Sequence, residues 1–76
     1  MKATSLTFQN CIQEAKNLGD ALFPSDCMNI LIKNYGKRLD VMKPVTIYNM
    51  VYDLMSVLTE PDSIEIKEVV VNFLNS

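Results

Sequence analysis

The stretch Pro44-Val45-Thr46-Ile47-Tyr48-Asn49-Met50-Val51-Tyr52-Asp53-Leu54-Met55-Ser56-Val57-Leu58-Thr59-Glu60 decides how this chain is read. Pro44 suits the first position of a helix, where its missing N–H costs nothing. At about 100° per residue, Thr46, Asn49, Asp53, Ser56 and Glu60 gather into one narrow polar stripe. The apolar residues between Val45 and Leu58 fill the remaining arc of roughly 240°. An ordinary surface helix carries an apolar face only somewhat wider than about 100°. The spacing therefore predicts a third helix that is either the hub of its domain or contacted from two sides.

Gly36 and Pro44 separate this helix from a second one, which opens at Pro24-Ser25-Asp26 and contains Cys27, Met28, Ile30, Leu31, Ile32 and Tyr35. Ser25 or Asp26 is placed to accept from the free N–H groups of its first turn. Before it, Phe8, Cys11, Ile12, Ala15 and Leu18 form one stripe of a first helix. Thr4 or Ser5 can cap that helix, and Gly19 can end it in a left-handed conformation. Leu22 and Phe23 make the connector too apolar for a solvated loop, and both are expected to plug the core.

Beyond Pro61, Asp62 and Glu65 have the spacing of a capping box. Ile66, Val69, Val70, Phe73 and Leu74 then follow the helical period. The segment is rich in β-branched residues, which suit a strand. Strict alternation fails, because Glu68 and Asn72 would share a face with Ile64, Ile66 and Val70. The pattern favours a helix. The expected architecture is all-α, a compact four-helix domain spanning residues 1–76 with the third helix central.

Composition excludes several function classes. Apolar residues make up 49% of the chain and Gly and Pro are few, so intrinsic disorder is not expected. No window approaches the 18 or so apolar residues of a membrane span, and the opening residues have no apolar core of a secretory leader. Cys11 and Cys27 are the only cysteines and there is no His. Two thiols without imidazole make a poor zinc site, and both fall on apolar helical faces, where free Cys acts as a small hydrophobe. The reading is a reducing, cytoplasmic compartment with no metal and no cofactor.

Catalysis lacks its usual groups. Without His the commonest general acid–base residue is missing, and Gly19 and Gly36 are too isolated for a phosphate-cradling loop. The acids Glu60, Asp62, Glu65 and Glu68 lack calcium-loop spacing and suit the first turn of a helix. The chain is read as a non-enzyme.

In size, acidity and helix number the chain is similar to the acyl carrier proteins. Those carriers hold their prosthetic group on a Ser in an Asp-Ser-Leu motif that opens the second helix after a long first loop. Here Ser25 stands in Pro24-Ser25-Asp26-Cys27 and the connector is short. Motif and loop both depart from that family, so the carrier function does not transfer and Ser25 is read as a helix cap.

Two binding readings remain. Lys33, Lys37, Arg38 and Lys43 form a basic patch around the second turn, which allows a nucleic-acid-binding regulator as the alternative. Residues 44–66 contain no Lys or Arg, so the third helix has no cations with which to enter a groove. Helix-dipole complementation accounts for much of the charge pattern without a partner. The favoured reading is a protein–protein interaction module, a regulator, inhibitor, immunity or antitoxin-like protein or assembly subunit, expected to form a homodimer. That range of roles comes from size class alone. Its interface candidates are Tyr35, Tyr48, Tyr52, Met50 and Val57, since Tyr and Met are enriched at interfaces.

Overall fold

The computed structural model of the chain describes residues 5–76, so the readings placed on the opening four residues lie outside it. Four helices follow in order: α1 (Leu6–Leu18), α2 (Pro24–Tyr35), α3 (Pro44–Ser56) and α4 (Ser63–Leu74). No strand occurs among the described residues, and the β-branched C-terminal segment is a helix. Short 3-10 turns, Gly19–Ala21 and Gly36–Val41, follow α1 and α2.

Local chemistry sets the boundaries. Ser5 Oγ accepts from the Phe8 N–H at 3.2 Å and starts α1. Gly19 and Gly36 end α1 and α2 at φ of +59° and +55°, a region that side chains strain to enter. Their ψ values near −130° differ from the left-handed helical turn expected at Gly19. In α2 the cap departs from expectation. The helix begins at Pro24, so Ser25 lies inside the first turn, and it is Asp26 Oδ2 that accepts from the Phe23 N–H at 2.9 Å. Asp62 Oδ1 accepts from the N–H groups of Ile64 and Glu65 and starts α4.

Each helix turns a stripe inward. Cys11 and Ala15 from α1 meet Cys27, Met28, Ile30 and Leu31 from α2 and Ile47, Val51, Leu54 and Met55 from α3. Ile66 and Val70 complete the core from α4, and Leu39 reaches it from the second 3-10 turn. Burying one such Leu or Ile stabilises by about 1.5–3 kcal/mol, and no charged or polar residue dilutes the core among those described. Both α2 and α3 pack against each of the other three helices. Of the two connector residues, Leu22 is buried as expected, whereas Phe23 is 61% exposed. Phe23 sits at the N-cap of α2 in extended backbone, between buried Leu22 and buried Pro24.

Polar ties fasten the α1–α2 pair. Glu14 accepts from Lys33 Nζ at 2.9 Å and from Asn34 Nδ2 at 2.7 Å. Arg38 donates to Thr7 Oγ1 at 3.2 Å and lies 4.7 Å over the Tyr35 ring. These contacts hold the N-terminal half of the domain closed on itself. Among the described residues, no comparable side-chain tie closes the outer edges of α3 and α4.

Candidate protein-binding face

The polar stripe of α3 is where the spacing puts it, with Thr46, Asn49, Asp53 and Ser56 all exposed. The wide apolar arc divides into three parts. Ile47, Val51, Leu54 and Met55 are buried; Tyr48, Met50 and Val57 are half-buried; Val45, Tyr52 and Leu58 are exposed. Helical geometry puts Val45, Tyr48 and Tyr52 on one flank, and Met50 and Val57 roughly opposite.

α4 is built the same way. Its apolar residues cover an arc of roughly 220°, far more than one core stripe requires. Ile66 and Val70 are buried and Val69 and Phe73 half-buried, but Ile64, Val71 and Leu74 are exposed. Ile64, in the first turn of the helix, is 71% exposed.

The two exposed flanks meet. Pro44, Val45 and Tyr48 of α3 and Ser63, Ile64, Lys67, Val70, Val71 and Leu74 of α4 line an open groove of about 540 Å³. A second hollow on the outer side of α4 shares Ile64, Lys67 and Val71 and adds Glu68 and Asn72. Ile64 and Val71 thus form a ridge between two depressions. Among the described residues, Lys67 is the one cation lining the groove and has no hydrogen-bond or ion-pair partner. The surface offers apolar anchors at helical spacing with a single positive charge among them.

The interface candidates read from the sequence are only partly brought together. Tyr48 lines the groove, and Tyr52 stands beside it with ring centroids 6.2 Å apart. Tyr35 lies elsewhere, half-buried beneath Arg38. Met50 packs against the core from the far flank of α3, and half-buried Val57 ends that flank. Val45, Ile64, Val71 and Leu74 were not singled out, although the arc width that marked α3 marks α4 too.

The basic patch is divided as well. Lys33 is tied to Glu14 and Arg38 to Thr7 and Tyr35, while Lys37 and Lys43 are exposed. At the opposite end of α2, Asp20, Glu60, Asp62 and Glu65 border a hollow of about 340 Å³ with Phe23 and Leu58. Asp62 is engaged as the α4 cap, and no cluster suited to a metal ion occurs among the described residues.

Cys11 and Cys27 are free and fully buried. Burial, assisted by Glu14, pushes the Cys11 thiol up to about 11. Burial and then Asp26 push Cys27 up to about 12. Both thiols are packing groups, with little thiolate for chemistry at neutral pH. No helix among the described residues is long and apolar enough to cross a membrane.

The fold and its surface define an all-α, four-helix domain with an apolar groove between its last two helices. Comparison with protein families, with curated proteins and with solved structures finds no match to this chain.

Proposed function

We propose that the chain is a non-catalytic protein-binding module that works by surface occupancy, as a regulator, inhibitor or assembly subunit, through its α3–α4 face. The observation that carries this reading is the groove itself. Val45, Ile64, Val71 and Leu74 stay exposed around half-buried Tyr48, forming one contiguous apolar surface. Contiguous apolar patches of this kind mark interaction sites, whereas single scattered hydrophobes do not. The spacing of anchors on two adjacent helices suits a helix laid in a groove. Two free, buried thiols support a reducing compartment, and we place the protein in the cytoplasm.

The basic patch supports nucleic acid less well, since Lys33 and Arg38 are engaged within the domain. The test is the pair of variants Ile64→Asp and Val71→Asp, with Asn49→Asp on the polar stripe as control. The expected result is an unchanged helical dichroism spectrum for all three, with bound protein retained by the control and lost from both groove variants. Retention by the groove variants would place binding elsewhere.

A further inference from the structure

We propose that the α3–α4 face binds the same face of a second copy of this chain, the two α4 ridges packed on one another and running parallel about a two-fold axis. The inference rests on the α3–α4 face being a protein-binding surface and names its partner.

At about 100° per residue, Ile64 and Val71 lie within about 20° of one another, on a single exposed line. Lys67 and Glu68 stand about 50° to either side of that line. Their surroundings agree: Lys67 lines the groove toward α3, while Glu68 borders only the outer hollow. The ridge is therefore apolar at its crest, positive on its groove side and negative on its outer side.

Symmetry then decides the orientation. A two-fold axis parallel to the helices sets each flank of one ridge against the opposite flank of the other. Lys67 then meets the partner's Glu68, twice, while Ile64 and Val71 pack across the axis on their own counterparts. An axis perpendicular to the helices sets each flank against itself, so Lys67 would face the partner's Lys67 and Glu68 the partner's Glu68. Like charges placed together discriminate against that pairing. Charge complementarity thus favours the parallel arrangement and gives the groove's unpaired cation a carboxylate.

Size is consistent with this. The domain measures 28 × 25 × 23 Å, and a standard interface needs about 800 Å² from each partner, most of one face. With ridge on ridge, the groove side of each copy faces the outer flank of the partner's α4, so Val45, Tyr48 and Tyr52 on α3 are covered together with α4. A small domain also gains most from association when its own core is limited. A contact at the lower end of the size range is weak, with dissociation expected at roughly micromolar concentration.

The experiment is sedimentation equilibrium over a hundredfold concentration range on the wild type, Lys67→Glu, Glu68→Lys and the double reversal, each checked for helicity by circular dichroism. The expected result is a wild-type monomer–dimer equilibrium, weakened about tenfold or more in each single variant. The double reversal should return to within about threefold of wild type. A folded wild type that is monomeric throughout overturns the inference, as does a dimer indifferent to both single reversals. Addition of Ile64→Asp separates the two claims. Monomeric wild type with Ile64-dependent binding of another protein removes only the second copy as occupant. A dimer unaffected by Ile64→Asp removes both the occupant and the face.

Discussion

Tyr48 and Tyr52 stand one turn apart on α3 with ring centroids 6.2 Å apart and planes tilted by 31°, yet only Tyr48 is drawn into the groove. Tyr52 remains 39% exposed, on the side of the helix that faces away from the core stripe. The pair marks the line at which α3 changes from packing residue to surface residue.

That line gives the first prediction. Tyr52→Glu should keep the helical spectrum and cost only the aromatic contact, about 0.5–1.5 kcal/mol in thermal or urea unfolding. It should also abolish association through the α3–α4 face. Collapse of the fold in this variant would assign Tyr52 to the core.

Leu39 tests the reach of the core beyond the four helices. It is 2% exposed and lies in a 3-10 turn between charged neighbours. Leu39→Ala should cost about 2–5 kcal/mol in chemical denaturation, the range for deleting a fully buried aliphatic side chain. A loss within about 0.5 kcal/mol, as for a surface position, would contradict its place in the core.

Glu14 makes a pH prediction. Its hydrogen bond from Asn34, then that from Lys33, hold its carboxyl below the ordinary glutamate value of 4.5. A carboxylate lowered on folding contributes stability that is present above its unfolded value and lost as pH falls through its folded value. Wild-type stability should therefore decline below about pH 4.5 more steeply than that of Glu14→Gln, compared by urea midpoints. At neutral pH the substitution should cost no more than about 1 kcal/mol, because Lys33 is 73% exposed and screened by solvent.

The two thiols predict the opposite slope at high pH. Burial raises both from 9.0, to about 11 for Cys11 and about 12 for Cys27. An acid raised on folding stabilises fully below its unfolded value, and the contribution is lost as pH climbs through the folded value. Stability should fall from about pH 9 upward, and Cys11→Ser/Cys27→Ala should flatten that decline. Labelling by a thiol reagent at pH 8 should be slow in the native state and fast in urea. Rapid native labelling would contradict the burial.

Gly36 predicts a cost without a clash. A Cβ there would meet nothing within 4 Å, but φ of +55° strains any side-chain-bearing residue. Gly36→Ala should destabilise by about 1–3 kcal/mol in chemical denaturation, all of it backbone strain. An unchanged midpoint would mean that the turn relaxes freely.

Much of the fold was legible because apolar residues recur at the helical period and Gly or Pro stands at each junction. Gly19, Pro24, Gly36, Pro44 and Pro61 punctuate the four helices close to where they begin and end. Leu39 was not legible: one apolar residue among Lys37, Arg38 and Asp40 reads as a solvated turn, and only tertiary packing buries it. Phe23 misled in the opposite sense, because apolar character does not fix which way a connector turns its side chain. The site was half legible. The arc of α3 marked Tyr48 and Tyr52 as flank residues, but periodicity alone does not say where neighbouring helices stop. Met50 and Val57 fell to the far flank for that reason, and Ile64, which lies out of phase with buried Ile66 and Val70, is as exposed as that offset implies.

Photo-crosslinking from position 64, compared with position 49, tests whether the α3–α4 face is the binding surface. A photoreactive phenylalanine at 64 projects from the α4 ridge, and one at 49 from the polar stripe of α3. The account predicts a discrete protein adduct from position 64, at twice the chain mass if the second copy is bound, and none from position 49. Adducts from position 49 alone, or equal adducts from both, would contradict the α3–α4 face as the binding surface.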